Sequence, residues 1–435
     1  MKALAPFVLL LAALATPSAA LAHASLERAS PGFRERLPSA PSKVELSFTQ
    51  VVTATPSSIQ VFTARGDIVS RPAARGSDPR VVIARLPARL PRGAYTVRWH
   101  ALSADGHVVS GVFTFGVRAP APPPSEAYGV GGPTASDHVL RWGYFLSLAL
   151  LLGGLAFRLL VVRGPAPPAF ERRFYALTGA GVVATLEVGI VAFLLRAEDA
   201  LQLPFGRLLY GDLSPIASGT RFGTAFVAMT LGFALVAALL FFAWLTERRE
   251  LLWCAFLVGL GFASGLSLSG HSAADAGSSW LSVLADWVHL SAASVWLGGL
   301  VQLVVCVWPA APELRRLAFL RFSRLAAVLV ALLVGAGVYL SVLRLPELSD
   351  LWSEGYGRVL LVKLALVTVA LAWGGVHHFF VRPLLERGRT PGGLLRSLAA
   401  ESAVGVAILL AAAVLVDSEP PPQPQPAPTQ ATSRS

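Results

Sequence analysis

The stretch "AYTVRWHALSADGHVVSGVFTFGV", residues 94–117, contains two β-strand patterns joined by a short polar turn. Residues 94–102 and 110–117 are rich in Val, Phe, Tyr and Trp, which favour extended backbone. Gly106 permits a tight turn between them, because glycine adopts backbone angles that other residues avoid. Asp105 and His107 lie two residues apart and therefore point to the same side of an extended segment. The stretch predicts a β-fold that presents two polar side chains together.

Three further runs of the same kind precede this stretch, at 43–48, 58–63 and 80–86. Pro and Gly turns separate them at a spacing typical of a small β-sandwich or Greek-key barrel. No cysteine occurs here, so the fold stands without disulfides. We expect an aromatic core of Phe48, Phe62, Tyr95, Trp99, Phe113 and Phe115. His100 follows Trp99 on its strand and is expected on the opposite, solvent-exposed face.

The first 22 residues read as a secretory signal peptide. Lys2 supplies a positive charge, residues 3–15 are almost wholly apolar, and Ala20-Leu21-Ala22 is the small-x-small pattern before a cleavage site. Cleavage there makes His23 the N-terminal residue. A free α-amine and an imidazole on one residue form a chelate that suits Cu(II). The alternative is that His23 is simply the residue that follows the cut.

His23, Asp105 and His107 together would give the tetragonal set of nitrogen and oxygen ligands that Cu(II) prefers. Each signal has an ordinary alternative when taken alone, since an Asp-Gly-His triplet is commonly an exposed polar turn. The two signals reinforce each other because one ion would explain both. The sequence therefore predicts a Cu(II) site in the β-domain.

The segments "HASLERASPGFRERLPSAPSKVELSF", residues 23–48, and "YTVRWHALSADGHVVSGVFTFGV", residues 95–117, closely resemble the periplasmic copper-binding family CopC. The resemblance covers residues 23–118. It implies a Greek-key β-barrel of cupredoxin-like or Ig-like form, in which His23, Asp105 and His107 hold Cu(II). Some CopC proteins also bind Cu(I) through methionines, but the only methionines here are Met1 and Met229, outside this domain.

The rest of the chain has the composition of a membrane protein. Over all 435 residues 54% are hydrophobic and 14% charged, and the mean hydropathy is +0.62. A Pro- and Gly-rich linker at 119–136 leads into a domain at 137–416 with eight segments near the length of about 20 residues that spans a bilayer. These segments are 138–161, 174–196, 221–245, 251–270, 282–308, 323–343, 357–381 and 397–416.

The formal net charge of +11 does not indicate nucleic-acid binding, because most arginines beyond the β-domain fall in short loops between apolar segments. Fourteen arginines lie at one side of the predicted membrane and five at the other. The positive-inside rule then places the β-domain and the C-terminus outside the cytoplasm of a bacterium, with the chain in the inner membrane. The Pro- and Gln-rich residues 417–435 are expected to be a disordered tail.

An internal repeat is visible among the apolar segments. "RWGYFLSLALLLGGL" at 141–155 aligns without gaps on "DWVHLSAASVWLGGL" at 286–300, matching Trp142 to Trp287 and the Leu-Gly-Gly-Leu ending. A repeat of four segments preserves orientation, so it suggests two parallel halves related by an axis along the membrane normal. Duplication of a mere scaffold would leave the same trace.

The aligned segments differ where metal chemistry could occur. Asp286 replaces Arg141 and His289 replaces Tyr144, and the two lie on one face of a helix near its outer end. His271 closes the preceding segment at the same level, so a hairpin can bring all three together. Ionisable groups in membrane segments are costly and tend to mark pathways. His271, Asp286 and His289 are the predicted membrane metal site, against the alternative of ordinary interfacial polar groups.

"DWVHLSAASVWLGGL", "YGRVLLVKLALVTVALAWGG" at 356–375 and "LSGHSAADAG" at 268–277 resemble the CopD membrane family, over roughly 137–416. The resemblance implies copper resistance or copper uptake across the bacterial inner membrane, and CopC–CopD fusions are known. It does not identify the membrane ligands.

Six other side chains are weaker candidates. His377 and His378 could receive metal near the cytoplasm, or could be interfacial residues, and Cys254 and Cys306 could bind Cu(I) on exit, or could be apolar filler. Glu187 and Lys363 lie at comparable depth and could form a buried ion pair or a proton-coupling element.

The sequence as a whole predicts a copper importer that is not an enzyme. Its predicted partners are copper ions, the lipid bilayer, and a periplasmic copper donor or reductase. Copper is expected as Cu(II) in the β-domain, and Cu(I) is an open alternative in the membrane domain. A membrane-anchored buffer that only sequesters copper is the main alternative. A haem-binding redox carrier is less favoured, because paired histidines deep on facing helices are missing from the sequence.

Overall fold

The computed structural model describes Ala24 and residues 26–103, 108–121, 135–201, 221–269, 279–345 and 347–418. The described residues up to 121 form a β-domain, and those from 135 onward form a helical domain. The two-part organisation expected from the sequence is therefore present. Of the predicted site residues, His23, Asp105, His107 and His271 lie outside the described residues.

The β-domain consists of two sheets. Their strand orders are β1-β3-β7-β6 and β2-β9-β8-β4, with β5 paired to β8. The strands are β1 Leu26–Ser30, β2 Arg36–Leu37, β3 Lys43–Phe48, β4 Val52–Thr53, β5 Ile59–Thr63, β6 Ala74–Arg75, β7 Val81–Arg85, β8 Gly93–Ser103 and β9 Val108–Val117. The five long runs expected from the sequence are all strands. Their closure into a Greek-key barrel stays a prediction.

The antiparallel pair β8 and β9 is the centre of this domain, paired in register from Gly93 opposite Val117 to Leu102 opposite Val108. Alternate side chains of β8 point into the core, where Tyr95 stacks on Phe115 with ring centroids 5.3 Å apart and Trp99 meets Phe48 edge-on at 5.5 Å. Burying these rings supplies the main stabilisation of a small domain that has no disulfide.

Two expectations about side-chain burial were wrong. Phe62 is only partly buried, because it lies on the outer side of β5, where the guanidinium of Arg98 stacks 4.7 Å from its ring centre. His100 is buried rather than exposed, with 4% of its surface accessible. The turn between β4 and β5 folds over this part of β8, so Thr55 Oγ1 lies 3.4 Å from His100 Nε2. Strand alternation failed here because both faces of β8 are covered.

The helical domain has a helix at each of the eight predicted apolar segments. The helices are α1 Ala135–Val161, α2 Pro168–Leu201, α3 Arg221–Thr246, α4 Glu250–Ser269, α5 Trp280–Ala310, α6 Arg315–Arg344, α7 Gly355–Glu386 and α8 Leu394–Asp417. A short helix, Asp350–Ser353, precedes α7. Helices α2 and α6 begin six and eight residues earlier than expected, because their polar first turns continue the helix beyond the apolar run.

Within the described residues, seven of these helices are long and apolar enough to cross a membrane. The exception is α4, whose apolar part is described only over Glu250–Gly265 and is shorter than the others. The count of eight spans therefore stays a prediction. The end of the domain at which α1 begins and α8 ends is called the proximal end below, and the opposite end is called the distal end.

Helices α1 and α5 cross through two glycines that the sequence alignment matches. A Cβ on Gly153 would lie 2.5 Å from Gly298 Cα, and a Cβ on Gly298 would overlap the carbonyl oxygen of Ala149. The two tryptophans that the alignment matches also form similar hydrogen bonds, each to a backbone carbonyl of another helix. Trp142 Nε1 donates to Val406 O of α8 at 3.2 Å, and Trp287 Nε1 donates to Leu260 O of α4 at 2.9 Å. Small residues allow the backbones to meet, as is common between membrane helices.

Arginines at the distal end bind carbonyl groups at or near the ends of helices. Arg321 donates to Val161 O at 2.9 Å, Arg173 to Val305 O at 3.1 Å and Arg316 to Glu386 O at 2.8 Å. The last carbonyls of a helix lack helical partners and carry partial negative charge, so cations stabilise them. Arg158 is buried and pairs with Glu171 at 2.6 Å. These arginines therefore stabilise the helix bundle, and by the positive-inside rule they also favour one orientation of the chain across the membrane.

Candidate metal sites

Ala24, the described residue next to His23 in the sequence, contacts the end of strand β8. The backbone N–H of Ala24 donates to Ser103 Oγ at 3.3 Å, and Ala24 is fully buried. Ser103 is the last residue of β8, and residues 104–107, which include Asp105 and His107 and lie outside the described residues, follow it in the sequence. One hydrogen bond thus joins parts of the chain that are 79 residues apart.

Each of the three predicted copper ligands is within two residues, along the sequence, of a described residue in this part of the β-domain. His23 adjoins Ala24, Asp105 follows Ser103 by two positions, and His107 adjoins Val108, the first residue of β9. The described residues that flank the three predicted ligands, Ala24, Ser103 and Val108, lie at one corner of the β-domain, because Ala24 bonds to Ser103 and Val108 pairs with the preceding Leu102. The ligand geometry itself lies outside the described residues and stays a prediction.

In the helical domain, His289 of α5 has its ring orientation fixed by a neighbouring helix. Its Nδ1 lies 3.1 Å from Leu333 O of α6. A carbonyl oxygen can only accept, so Nδ1 carries the proton and Nε2 keeps a lone pair. A neutral imidazole held by one nitrogen leaves the other available as a metal ligand.

A cavity of about 850 Å³ lies among α5, α6, α7 and α8. Its walls are mainly apolar, but ionisable side chains occur toward both ends. Toward the proximal end these are Arg141, Asp286, His289, Arg344 and Lys363, and toward the distal end they are His377, His378 and Glu401. Asp286 and His289 therefore share one cavity, whereas His271 lies outside the described residues and cannot be placed with them.

Lys363 does not pair with Glu187, so that sequence expectation was wrong. Lys363 of α7 interacts electrostatically with Asp286 and lines the cavity. Glu187 is exposed on α2 instead. Similar depth along two helices did not imply contact, because the helices face different neighbours.

The distal end of the cavity contains a hydrogen-bonded network that links α7 to α8. His377 Nδ1 lies 2.7 Å from Glu401 Oε2, and His377 Nε2 lies 2.8 Å from Ser397 Oγ. Trp373 Nε1 donates to the same hydroxyl at 2.9 Å. His377 and Glu401 are both buried, with 6% and 3% of their surfaces accessible. His377 begins a π-helical segment, a local distortion that frequently occurs at functional sites.

Sequence reasoning missed Glu401 entirely. A carboxylate near the start of an otherwise apolar segment is the signal that could have found it, by the same argument that singled out Asp286. The cysteines have contrasting surroundings, since Cys306 is buried in the helical core and Cys254 is exposed. Among the described residues, no three His, Cys, Asp or Glu side chains converge as metal ligands would.

Family models match most of the chain. A CopC domain matches residues 26–118, a copper resistance protein D-like N-terminal domain matches residues 135–281, and copper resistance protein D matches residues 316–415. The chain belongs to the CopC–CopD family. It is a CopC domain fused to a CopD-type multi-pass membrane domain, as the resemblance in the sequence implied.

Several curated relatives agree with this assignment. Copper transport protein CutJ of Bacillus subtilis (strain 168) is 28% identical and aligns with 94% of this chain and 76% of its own length. Copper resistance protein D of Pseudomonas syringae pv. tomato is 28% identical, over 64% of this chain and 92% of its own length. Copper resistance protein C of Escherichia coli is 32% identical, over 23% of this chain and 84% of its own length. The family thus includes proteins named for transport and for resistance.

Proposed function

We propose that this CopC–CopD fusion captures Cu(II) outside a bacterial inner membrane and moves copper inward. The cavity among α5–α8 is the observation that carries the proposal, because it has metal-binding side-chain types toward both ends. A protein that only held copper outside the membrane would gain nothing from such a cavity. No step in this role makes or breaks a covalent bond of a substrate, so the protein is not an enzyme.

The capture site in the β-domain consists of His23, Asp105 and His107, with the amine of His23 as a further nitrogen ligand. The Ala24–Ser103 hydrogen bond supports this set because it joins the residue after His23 to the residue two positions before Asp105. The set requires removal of residues 1–22 as a signal peptide. Nitrogen and carboxylate ligands favour Cu(II), and this domain has no thioether or thiol that would favour Cu(I).

The entry site in the membrane domain consists of His271, Asp286 and His289. Support comes from the matched tryptophan bonds. Asp417 lies eleven residues after Val406, the partner of Trp142, and His271 lies eleven residues after Leu260, the partner of Trp287. Asp417 of α8 binds Arg141 of α1 at 2.6 Å, and Arg141 directly precedes Trp142. If the two halves are repeats, His271 corresponds to Asp417 and Asp286 corresponds to Arg141. His271 is then expected to contact Asp286, as Asp417 contacts Arg141.

The same correspondence supports two parallel repeats of four spans, α1–α4 and α5–α8. Eight spans place both termini on one side of the membrane, and the arginines at the distal end make that end cytoplasmic. The linker, residues 119–136, then connects the β-domain to the entry site on the periplasmic side. The capture site holds Cu(II) and the cytosol holds Cu(I), so a periplasmic reductase supplies one electron per ion if copper crosses as Cu(I), and a periplasmic copper donor is the other partner we propose.

Copper accumulation in copper-starved cells tests the proposal. Cells express the intact chain, His23→Ala, His289→Ala, or Tyr144→Phe as a control at the matching position of the first half. We expect the intact chain and Tyr144→Phe to raise cytoplasmic copper, His23→Ala to raise it less, and His289→Ala to leave it at the level of cells without the protein. If copper accumulates only outside the membrane and depends on His23 alone, the protein is an anchored copper buffer.

A further inference from the structure

Helices α6 and α7 meet at the distal end of the helical domain and diverge toward the proximal end. At the distal end Ser323 Oγ of α6 lies 3.2 Å from His378 Nδ1 of α7, and α6 also approaches Arg382–Glu386. Along Gly355–Val376, the rest of α7, no extensive packing against α6 is present among the described residues. Helix α6 packs instead on α5, and α7 packs on α8. A cleft between α6 and α7 therefore forms the outer side of the cavity of about 850 Å³.

The two walls of this cleft are apolar stripes. The stripe of α6 is Val330, Val334, Val338 and Val342, and the stripe of α7 is Leu360, Leu364, Val367 and Leu371. Residues three and four apart lie on one face of a helix, so each stripe faces the cavity over several turns. Val338 is 59% exposed and Leu364 is 44% exposed, which shows that the middle of neither stripe is covered by the opposite helix. In a bilayer, hydrocarbon covers such surface, because lipid tails are as apolar as these side chains.

The apolar part of the cleft is long enough for a lipid chain. Among the described lining residues, ionisable side chains occur only toward the two ends, and on α7 these are Lys363 and, fourteen residues later, His377. Fourteen residues of helix extend about 21 Å, at about 1.5 Å per residue. Half of the hydrocarbon core of a bilayer is about 15 Å thick. An acyl chain from the leaflet at the proximal end can therefore lie between the two stripes over its whole length.

The proximal mouth of the cleft is positively charged. Its described lining side chains include three cations and one carboxylate, namely Arg141, Arg344, Lys363 and Asp286. Asp417 neutralises Arg141 at 2.6 Å, so two cations remain against one carboxylate. The acidic residues of the segment between α6 and α7 do not line the cleft, and these are Glu347, Asp350 and Glu354. The mouth therefore suits a group that carries one negative charge.

We propose that a phospholipid with an anionic headgroup occupies this cleft, with its phosphate at Arg344 and Lys363 and one acyl chain between the two stripes. Both side chains are long enough to bring their charge to the headgroup while their stems stay among apolar groups. A phosphodiester with an uncharged headgroup carries one negative charge and matches the mouth, whereas a zwitterionic phospholipid has no net charge. The acyl chain supplies the contact that α6 and α7 lack, and it separates the ionisable groups of α5 and α8 from the bilayer. Such lipid binding is independent of copper uptake.

Native mass spectrometry of the full chain tests this site. The chain is purified in a mild detergent, stripped of lipid, and incubated with phosphatidylglycerol or with phosphatidylcholine that has the same acyl chains. We expect one phosphatidylglycerol to stay bound per chain, with an affinity about tenfold above that of phosphatidylcholine, because basic side chains near a lipid surface attract anionic headgroups. Equal affinity for the two lipids would overturn the proposal.

Substitutions in the stripes test the position of the acyl chain. Val338→Trp fills the cleft and is expected to remove bound lipid of either kind. Val328→Trp is the control, because Val328 is 58% exposed on the same helix but does not line the cavity. Leu364→Trp narrows the cleft from the opposite wall and should act as Val338→Trp does. Equal lipid retention by all three variants would overturn the proposal, and so would one molecule of another apolar compound retained in place of phospholipid.

Substitutions at the mouth test the position of the headgroup. Lys363→Gln is expected to bring the affinity for phosphatidylglycerol close to that for phosphatidylcholine, and Lys363→Arg is expected to keep the preference. Arg358→Gln removes a cation of α7 that does not line the cavity, and it should change nothing. A preference that Lys363→Gln and Arg358→Gln leave equally intact would overturn the proposed headgroup site. Copper accumulation in cells expressing the intact chain is measured separately, so a failure of lipid binding leaves the proposed copper uptake standing.

Discussion

The two halves of the helical domain, α1–α4 and α5–α8, share packing contacts and differ in their cavities. Matched glycines and matched tryptophans make the contacts that hold each half to the other. Tyr144 and Met229 line a cavity of about 150 Å³ in the first half, whereas Asp286 and His289 line one of about 850 Å³ that lies mainly in the second half, and Arg141 borders both cavities.

This difference separates structural from functional positions. Asp417 neutralises Arg141 at 2.6 Å, so the first half uses its charge to tie α1 to α8. At the matching position, Asp286 faces a large cavity that also contains Lys363 and Glu401. Positions that fix the helix crossings are alike in the two halves, and positions that face the cavities are not. This contrast favours α5–α8 as the route of the copper movement that we propose.

The largest effect is expected from giving the second half the side chains of the first. The double substitution Asp286→Arg and His289→Tyr places a cation and a bulky phenol in the cavity, where both oppose copper entry. Copper accumulation in starved cells should fall to the level of cells without the protein. The variant should still reach the membrane in normal amount. Unchanged copper accumulation would contradict the claim that Asp286 and His289 set the functional difference between the two halves.

The shared helix crossing should be the next most sensitive feature. Gly298→Ala forces a methyl group against the backbone of α1 and should cost about 1–3 kcal/mol of stability. The control is Gly335→Ala on α6, where nothing lies within 4 Å of an added Cβ. Thermal unfolding of the detergent-solubilised chain measures both. Equal unfolding midpoints for the two variants would mean that the α1–α5 contact is not close.

Two carboxylates at the proximal end, Asp417 of α8 and Asp286 of α5, should behave in opposite ways. Asp417→Asn removes the partner of Arg141 and His138 and should cost about 1–2 kcal/mol of stability while leaving copper uptake in place. Asp286→Asn should abolish copper uptake at little cost in stability. Measuring unfolding midpoints and copper accumulation for both variants checks this, and a loss of uptake from Asp417→Asn alone would reverse the assignment.

The smallest expected effect concerns the matched tryptophans. Trp142→Phe and Trp287→Phe each remove one hydrogen bond to a backbone carbonyl, which in membrane proteins is worth about 0.6 kcal/mol on average. The two variants should lower the unfolding midpoint by similar amounts. A large loss from one and none from the other would argue against two repeats.

The sequence predicted the framework better than the sites. Strands such as β3 and β9 and helices such as α3 were predicted closely, because periodicity and apolar length depend on local residues. His100, Phe62 and the supposed Glu187–Lys363 pair were wrong, because burial and pairing depend on neighbours far away in the chain. The Ala24–Ser103 hydrogen bond joins the two regions that the predicted copper site links, and the site itself stays a prediction.

Glu401 shows what sequence reasoning lacked. Its partner His377 was recognised as a candidate, but the two are on different helices, and only the packing of α7 against α8 brings them to 2.7 Å. The arginines at the distal end were likewise assigned to membrane orientation alone, although several of them bind helix carbonyls. Contacts between helices of a bundle follow from packing that a single sequence does not specify.

Copper movement across a sealed membrane tests the central claim most directly. The intact chain is reconstituted into vesicles loaded with a Cu(I)-binding dye, and Cu(I) is added outside under anaerobic conditions. We predict that dye inside the vesicles binds copper when the intact chain is present and not in vesicles without protein or with the Asp286→Arg, His289→Tyr variant. Copper entry no faster with the intact chain than without protein would contradict transport through α5–α8.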